Sequence, residues 1–82
     1  MSYEKVKQAK KIKVGTKQTT KALQSGACKE IIIAQDADEK IVTDLKKLAE
    51  EQNVPVYYVD SMKKLGQAAR IQVGAAVVAI IE

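Results

Sequence analysis

Apolar residues follow two different spacings along this chain. Ile31-Ile32-Ile33 is a short β-branched run that is apolar on both faces, which is typical of a buried strand. Residues 75–81 have the same character and predict a second central strand. The shorter segments 12–14 and 54–59 predict two more strands. Pro55 confines the latter to a sheet edge or to its own first residues, because proline has no N–H to share.

Helical spacing occupies the intervals between these strands. Apolar residues three or four positions apart predict helices at 3–9, 17–25, 39–52 and 62–69. Helices and strands therefore alternate with short connections, and this pattern is typical of an α/β fold with helices on both faces of a sheet of about four strands. We expect a single domain spanning residues 1–82.

Positive charge is concentrated near the start of the chain. The 82 residues carry a net charge of +4. Residues 1–21 contain seven lysines and one acid, whereas residues 22–82 contain seven basic and nine acidic residues. A basic region of this kind favours a polyanionic partner through phosphate neutralisation, although it can also act only as a solvated, solubilising surface.

Composition excludes several classes of function. The chain has no histidine and one cysteine, Cys28, so it has neither the commonest general base nor a Cys-x-x-Cys pair, and we expect Cys28 to be a buried thiol. Three tyrosines are the only aromatic residues, which disfavours RNA readers that stack bases on rings. Neither a signal peptide nor an apolar run long enough for a membrane span occurs, and we expect a cytoplasmic protein.

Carboxylates offer one weak possibility for chemistry. Asp36, Asp38 and Glu39 could hold Mg²⁺ through oxygen ligands, but the same residues suit a turn after a strand followed by a helix cap and a favourable acid in the first turn. We favour the second interpretation, and we expect no catalytic residue, metal or cofactor.

The most informative stretch runs from residue 13 to residue 21. Gly15 permits a tight turn, Thr16 is a plausible N-cap for the following helix, and Lys17, Gln18 and Lys21 cluster around that helix start. The positive end of a helix favours anions, and Lys and Gln also hydrogen-bond base edges. Alternatively, this is a capped helix with ordinary surface lysines. A nucleotide-binding P-loop would need a further glycine upstream of Gly15, and the chain has none at the required spacing.

A second stretch, residues 70–74, places Ile71 and Val73 in an otherwise polar loop. Either one of them packs into the core, or they form an apolar surface for a partner. Lys63 and Lys64 start the preceding helix, where cations oppose the helix dipole and an anionic ligand would account for them.

Residues Gly15-Thr16-Lys17-Gln18-Thr19-Thr20-Lys21 resemble the signature of the ribosomal proteins that bind RNA kink-turns, the L7Ae and L30e group, and most of all its short bacterial members. The resemblance extends over essentially the whole chain, through 31–38, Asn53-Val54-Pro55-Val56, Leu65-Gly66-Gln67-Ala68 and 75–81. It implies a three-layer α-β-α sandwich with a mixed sheet, which binds sharply bent RNA helices containing tandem sheared G·A pairs.

The resemblance also implies roles for individual residues. Gly15 and Thr16 would approach the RNA backbone, and Lys17, Gln18 and Lys21 would read the G·A pairs. Asp38 and Val42 would border the pocket for an extruded nucleotide. The loop that covers this nucleotide would consist of Ile71, Gln72 and Val73. Phosphate contacts would come from Lys63, Lys64 and Arg70. Two positions depart from the archaeal pattern: Lys17-Gln18 replaces an Asn-Glu pair, and Glu39 replaces a proline.

We therefore expect a non-catalytic, monomeric protein that binds a kink-turn in ribosomal RNA, a riboswitch or an mRNA leader, with neither DNA nor a membrane as partner. Two alternatives stay open. The first is a ribosome-associated protein that binds ribosomal RNA without a strict requirement for a kink-turn. The second is a protein-interaction module that docks through the loop of residues 71–73.

Overall fold

The computed structural model describes residues 2–82 and contains every predicted element. The elements in chain order are α1 (Ser2–Gln8), β1 (Ile12–Val14), α2 (Thr16–Gln24), β2 (Glu30–Ala34), α3 (Glu39–Glu51), β3 (Val56–Val59), α4 (Met62–Ala68) and β4 (Val77–Ile80). The predicted bounds are correct to within two residues. β3 begins only after Pro55, and β4 begins later than residue 75 because the Ala75 N–H is bonded to the Met62 carbonyl of α4.

The four strands form one mixed sheet in the order β1-β4-β2-β3. β4 runs antiparallel to both of its neighbours, while β2 and β3 are parallel and are joined through α3. The two strands predicted to be central are central, and β3 lies at an edge as Pro55 indicated. β4 is buried along its whole length, and so are four of the five residues of β2, which accounts for their apolar character on both faces.

Side chains from the two faces of the sheet build two separate cores. On one face Ile32 and Val78 pack with Val6 of α1 and Leu65 of α4. On the other face the core contains residues of β2, β4, α2 and α3, among them Leu23, Ile31, Leu45 and Val77, together with the buried thiol of Cys28. The protein is thus an α/β three-layer sandwich, with α1 and α4 on one side and α2 and α3 on the other.

Backbone hydrogen bonds gather four chain segments at one end of the sheet. The Gly15 N–H donates to the Val77 carbonyl (3.0 Å), and the Ala34 N–H donates to the Ala76 carbonyl (2.9 Å). The Ala75 N–H donates to the Met62 carbonyl (3.0 Å). The start of α2, the turn after β2, the start of α4 and the loop before β4 therefore meet at this end.

Candidate nucleic-acid interface

The turn from β1 into α2 is made by Gly15. Its φ of 98° and ψ of 163° lie in a region that is essentially restricted to glycine. Gly15 is the N-cap residue, so the prediction that Thr16 caps α2 is wrong: Thr16 is already the first helical residue, and no side chain caps the helix. The reason is that β1 pairing extends to the Gly15 N–H, which leaves only this glycine to make the turn.

This arrangement leaves the first turn of α2 open. The first backbone bond of the helix is donated by the Thr19 N–H to the Gly15 carbonyl (3.0 Å), so the N–H groups of Thr16, Lys17 and Gln18 have no partner within the helix. Lys17 and Gln18 are exposed, and the first turn contains no acidic residue. Unpaired N–H groups, the helix dipole and a lysine together favour an anion at this point.

The sides of α2 have different surroundings. Thr19 and Leu23 are fully buried against the sheet, and the Thr19 hydroxyl has no hydrogen-bond partner among residues 2–82. Gln18 and Lys21, three residues apart, line a groove on the outer side. The sequence-predicted donors of α2 are therefore brought together on an accessible surface.

The loop between α4 and β4 follows the side of α4. The Ile71 N–H donates to the Gly66 carbonyl (3.0 Å), and Ile71 packs against the core shared by α1 and α4. Val73 is 71% exposed, and Gln72 beside it is exposed. Ile71 thus packs against the core, as the first interpretation of this stretch predicted, and Val73 presents an apolar side chain to solvent. Docking of a partner on this loop stays a prediction.

Gly66 determines how closely this loop approaches α4. A Cβ atom at position 66 would overlap the carbonyl oxygen of Val73, so only glycine allows the observed path. Sequence reasoning assigned no role to Gly66. Its place in the Leu65-Gly66-Gln67-Ala68 stretch was the available signal, but the loop that approaches it cannot be read from local spacing.

The acidic residues after β2 are used to start helices. The Asp38 carboxylate accepts a hydrogen bond from the Lys40 N–H (2.8 Å), which confirms Asp38 as the cap of α3. The Asp36 carboxylate accepts from the Met62 N–H (2.8 Å) at the start of α4. Val42 is half-buried against the core of the α2–α3 face. Nowhere in residues 2–82 do three or more potential metal ligands form a group that could hold an ion.

Lys64 of α4 is held by contacts with two residues that precede the helix. Ser61 caps α4 by accepting from the Lys64 N–H (3.2 Å), and the Lys64 ammonium lies 3.6 Å from the Asp60 carboxylate. The Tyr3 hydroxyl donates to Asp60, and this bond holds the pKa of Asp60 below its usual value. Desolvation, reinforced by the same carboxylate, raises the pKa of Tyr3.

The predicted site residues therefore separate into two groups. The start of α2 and the residues leading into β4 share one end of the sheet through the Gly15–Val77 bond. Lys64 belongs to the first turn of α4, which reaches the same end, but its side chain lines a depression shared with α1. Arg70, whose φ is +64°, also lies beside α1 and near the beginning of β1.

Comparison with known proteins identifies the family of this chain. A family model described as "Ribosomal protein L7Ae/L30e/S12e/Gadd45 family" matches residues 2–82. The chain belongs to this family. An RNA-binding protein of Geobacillus sp. (strain WCH70) is 62% identical over 81 residues, which is 99% of each chain. The RNA-binding protein YbxF of Geobacillus stearothermophilus is 60% identical with the same coverage.

Solved structures in the L7Ae/L30e family's fold match closely. A 15.5 kDa RNA-binding protein of Giardia lamblia superposes with a TM-score of 0.88 at 32% identity, covering 99% of this chain and 71% of that one. A protein described as having unknown function, from Bacillus halodurans C, has a TM-score of 0.85 at 22% identity, covering 98% of this chain and 80% of its own, and supports the fold alone. Within residues 2–82, no helix has the length and apolarity that crossing a bilayer requires.

Proposed function

We infer that this protein is a non-catalytic RNA-binding protein that recognises kink-turns through the start of α2 and the loop before β4. The observation that carries this inference is the open, basic first turn of α2 at the same end of the sheet as the chain entering β4. The names of the relatives, which are RNA-binding proteins, point to the same class of partner.

The open helix start accounts for both kinds of contact that recognition requires. The N–H groups at Thr16 and Lys17 suit phosphate oxygens, because they are unpaired within the helix and lie at its positive end. The exposed side chains of Lys17, Gln18 and Lys21 can reach base edges in a widened groove. Lysine donates to guanine O6 and N7, and glutamine both donates and accepts.

The loop before β4 supplies an aliphatic cover for one unstacked base. Val73 is exposed and Gln72 adds an amide, while Ile71 anchors the loop to the core. Asp38 and Val42 border the same nucleotide in this proposal; Asp38 is held rigid by its bond to Lys40. Lys63, Lys64 and Arg70 act only as phosphate contacts, and the ion pair of Lys64 with Asp60 reduces its share.

The experiment that tests the proposal is a titration against a kink-turn duplex and a control duplex. The control keeps the length and the loop but replaces both G·A pairs with Watson–Crick pairs. We expect a strong preference for the kink-turn. Equal, salt-sensitive binding to both RNAs would contradict kink-turn recognition and would leave only a basic surface on this fold.

Single substitutions identify the surface that is used. Gln18→Ala and Lys21→Ala should each weaken kink-turn binding by about 1–3 kcal/mol, the value of a base contact. The matched controls are Gln24→Ala, at the other end of α2, and Lys46→Ala on α3, both exposed. If the controls weaken binding as much as the α2 variants do, α2 is not the reading surface.

The exposure of Val73 also favours a second candidate function, docking of a protein partner on the 71–73 loop. Salt separates the two functions, because phosphate binding weakens steeply as salt increases and apolar docking does not. The proposal includes a single monomeric, cytoplasmic domain, and sedimentation of the protein with and without RNA tests its monomeric state.

A further inference from the structure

A groove of about 270 Å³ runs between α2 and β1, below the open start of α2. Its polar lining consists of Lys11, Lys13, Gln18, Lys21 and Ser25, and the rest of the lining is aliphatic. No acidic side chain lines it. We call this feature the α2–β1 groove.

Two facing rows of side chains produce this lining. Gln18, Lys21 and Ser25 are separated by three and four residues and so form one stripe along α2 and its C-terminal end. Lys11 and Lys13 are two residues apart on the segment that forms β1, and alternate residues of an extended chain point to the same side. Their separation, about 6.6 Å along the strand, is comparable with the spacing of successive phosphates on one nucleic-acid strand.

The lysines of the α2–β1 groove have no ionic partners within residues 2–82. The ion pairs of the described chain are Lys5–Glu30, Lys7–Glu4 and Lys64–Asp60. A second depression is lined by Lys5, Lys10 and Lys29 but also by Glu30 and Glu82, so its charge is mixed. The α2–β1 groove therefore brings together three lysines that have neither an ionic partner nor an acidic neighbour in the groove lining.

We propose that the α2–β1 groove binds the sugar-phosphate backbone of the RNA strand that continues from the bases read at Gln18. This inference rests on the proposed function and extends its footprint beyond the kink itself. Lys11 and Lys13 contact successive phosphates. The Ser25 hydroxyl donates to the Ala22 carbonyl (3.2 Å), which leaves its oxygen as an acceptor for a ribose 2′-hydroxyl.

Lys11 is the position that isolates the α2–β1 groove from the reading surface. Its backbone is held at the chain end, where its carbonyl accepts from the Ile81 N–H (2.9 Å) and the Glu82 N–H (3.2 Å), while its side chain is exposed. Lys11→Gln should therefore remove one charge without disturbing the fold. Lys46→Gln on α3 removes the same charge elsewhere, and Lys11→Arg retains the charge.

The test measures RNA affinity between 50 and 200 mM salt for three RNAs: the full kink-turn duplex and two versions in which one or the other stem is shortened. On the full duplex, Lys11→Gln should bind about three- to tenfold more weakly at low salt. Raising the salt from 50 to 200 mM should weaken binding of both proteins, but the factor should be about 3.5 times smaller for Lys11→Gln than for the wild type. This difference corresponds to one phosphate contact. When the stem whose backbone lies in the α2–β1 groove is shortened, Lys11→Gln and the wild type should bind the RNA with equal affinity.

Lys46→Gln and Lys11→Arg should match the wild type within about twofold. The inference is overturned if Lys11→Gln equals the wild type in affinity and salt slope on the full duplex, or if its deficit persists on both shortened RNAs. The wild-type preference for G·A over Watson–Crick pairs does not depend on Lys11. If the wild type showed no preference for G·A pairs, the proposed function would be contradicted instead.

Discussion

The starts of α2 and α4 lie at the same end of the sheet and differ in one respect. Both have lysines in the first turn and no acidic residue there. At α4 the Ser61 hydroxyl accepts from the Lys64 N–H, and the Asp36 carboxylate accepts from the Met62 N–H. At α2 no side chain caps the helix. The chain therefore satisfies the start of α4 internally and leaves that of α2 to solvent or to a ligand.

The comparison shows which lysines indicate an anionic partner. A helix start with glycine at the N-cap is less stable than one with a good side-chain cap by roughly a few tenths of a kcal/mol, and a lysine beside it adds an unfavourable interaction with the dipole. Both costs occur together at α2, and a bound phosphate would reverse both. At α4 Lys64 is paired with Asp60 and the helix start is capped by Ser61, so Lys64 gives a weaker indication of an anionic partner.

The largest expected effect comes from giving α2 an internal anion. Thr16→Glu places a carboxylate on the first turn, where the dipole favours it, so the free energy of unfolding should stay the same or rise by about 0.3–1 kcal/mol. RNA affinity should fall about 10- to 100-fold because the carboxylate repels phosphate. Denaturation and titration of the same variant check the two opposite changes. If Thr16→Glu bound RNA as tightly as the wild type, the start of α2 would not be a phosphate-binding site, and the contrast with α4 would have no functional meaning.

The second prediction concerns the loop that α4 supports. Gly66→Ala brings a Cβ into the Val73 carbonyl, so the loop or the helix must move, and the free energy of unfolding should fall by about 1–3 kcal/mol. Gly74→Ala is the control in the same loop, because a Cβ there makes only ordinary contacts with Met62. Urea denaturation compares the two variants. Equal stability would show that the loop has an alternative path.

A third prediction tests whether the cap of α4 is purely structural. Ser61→Ala removes the acceptor of the Lys64 N–H and should lower the free energy of unfolding by about 1 kcal/mol. Kink-turn affinity should change by less than about twofold at a temperature where the variant is folded. A larger loss of affinity would place the start of α4 within the RNA interface and remove the contrast with α2.

The fold was predictable because each element has its own local signal. The apolar runs of β2 and β4 predicted buried strands, and burial on both faces follows from their central positions in the sheet. Pro55 predicted the edge. Asp38 predicted the cap of α3, since an oxygen-bearing side chain before a helical pattern suffices there.

The start of α2 was mispredicted because the deciding contact is distant in sequence. Thr16 and Ser61 look alike locally, as hydroxyl residues before a helical pattern. The Gly15 N–H, however, is bonded to Val77, and this pairing moves the turn one residue earlier and makes Thr16 helical. The fit of the loop against Gly66 depends in the same way on a path that no local spacing encodes.

The smallest predicted effect is on thermal stability and comes from Asp60, beside the start of α4. It is recognised by its dependence on pH. The pKa of Asp60 is lowered in the folded protein, first by the hydrogen bond from Tyr3. A depressed carboxyl pKa contributes stability above the ordinary value of 3.8, and this contribution is lost as the pH falls through the folded value. The wild type should therefore exceed Asp60→Asn in Tm at pH 7, by a margin that shrinks below about pH 4.

Tyr3→Phe should show a similar dependence of Tm on pH, because both substitutions remove the Tyr3–Asp60 bond. Tyr3→Phe also removes the acceptor of the Ser61 N–H, and Asp60→Asn also removes the ion pair with Lys64. The loss of stability in the double variant should therefore be smaller than the sum of the two single losses. Asp44→Asn on α3 controls for the loss of an exposed carboxylate. Kink-turn affinity at neutral pH should be the same for Tyr3→Phe as for the wild type, since the Tyr3–Asp60 bond holds α1 to the start of α4 and leaves α2 untouched. A margin between wild type and Asp60→Asn that is constant from pH 7 to pH 3 would mean that Tyr3 does not bind the ionised carboxylate.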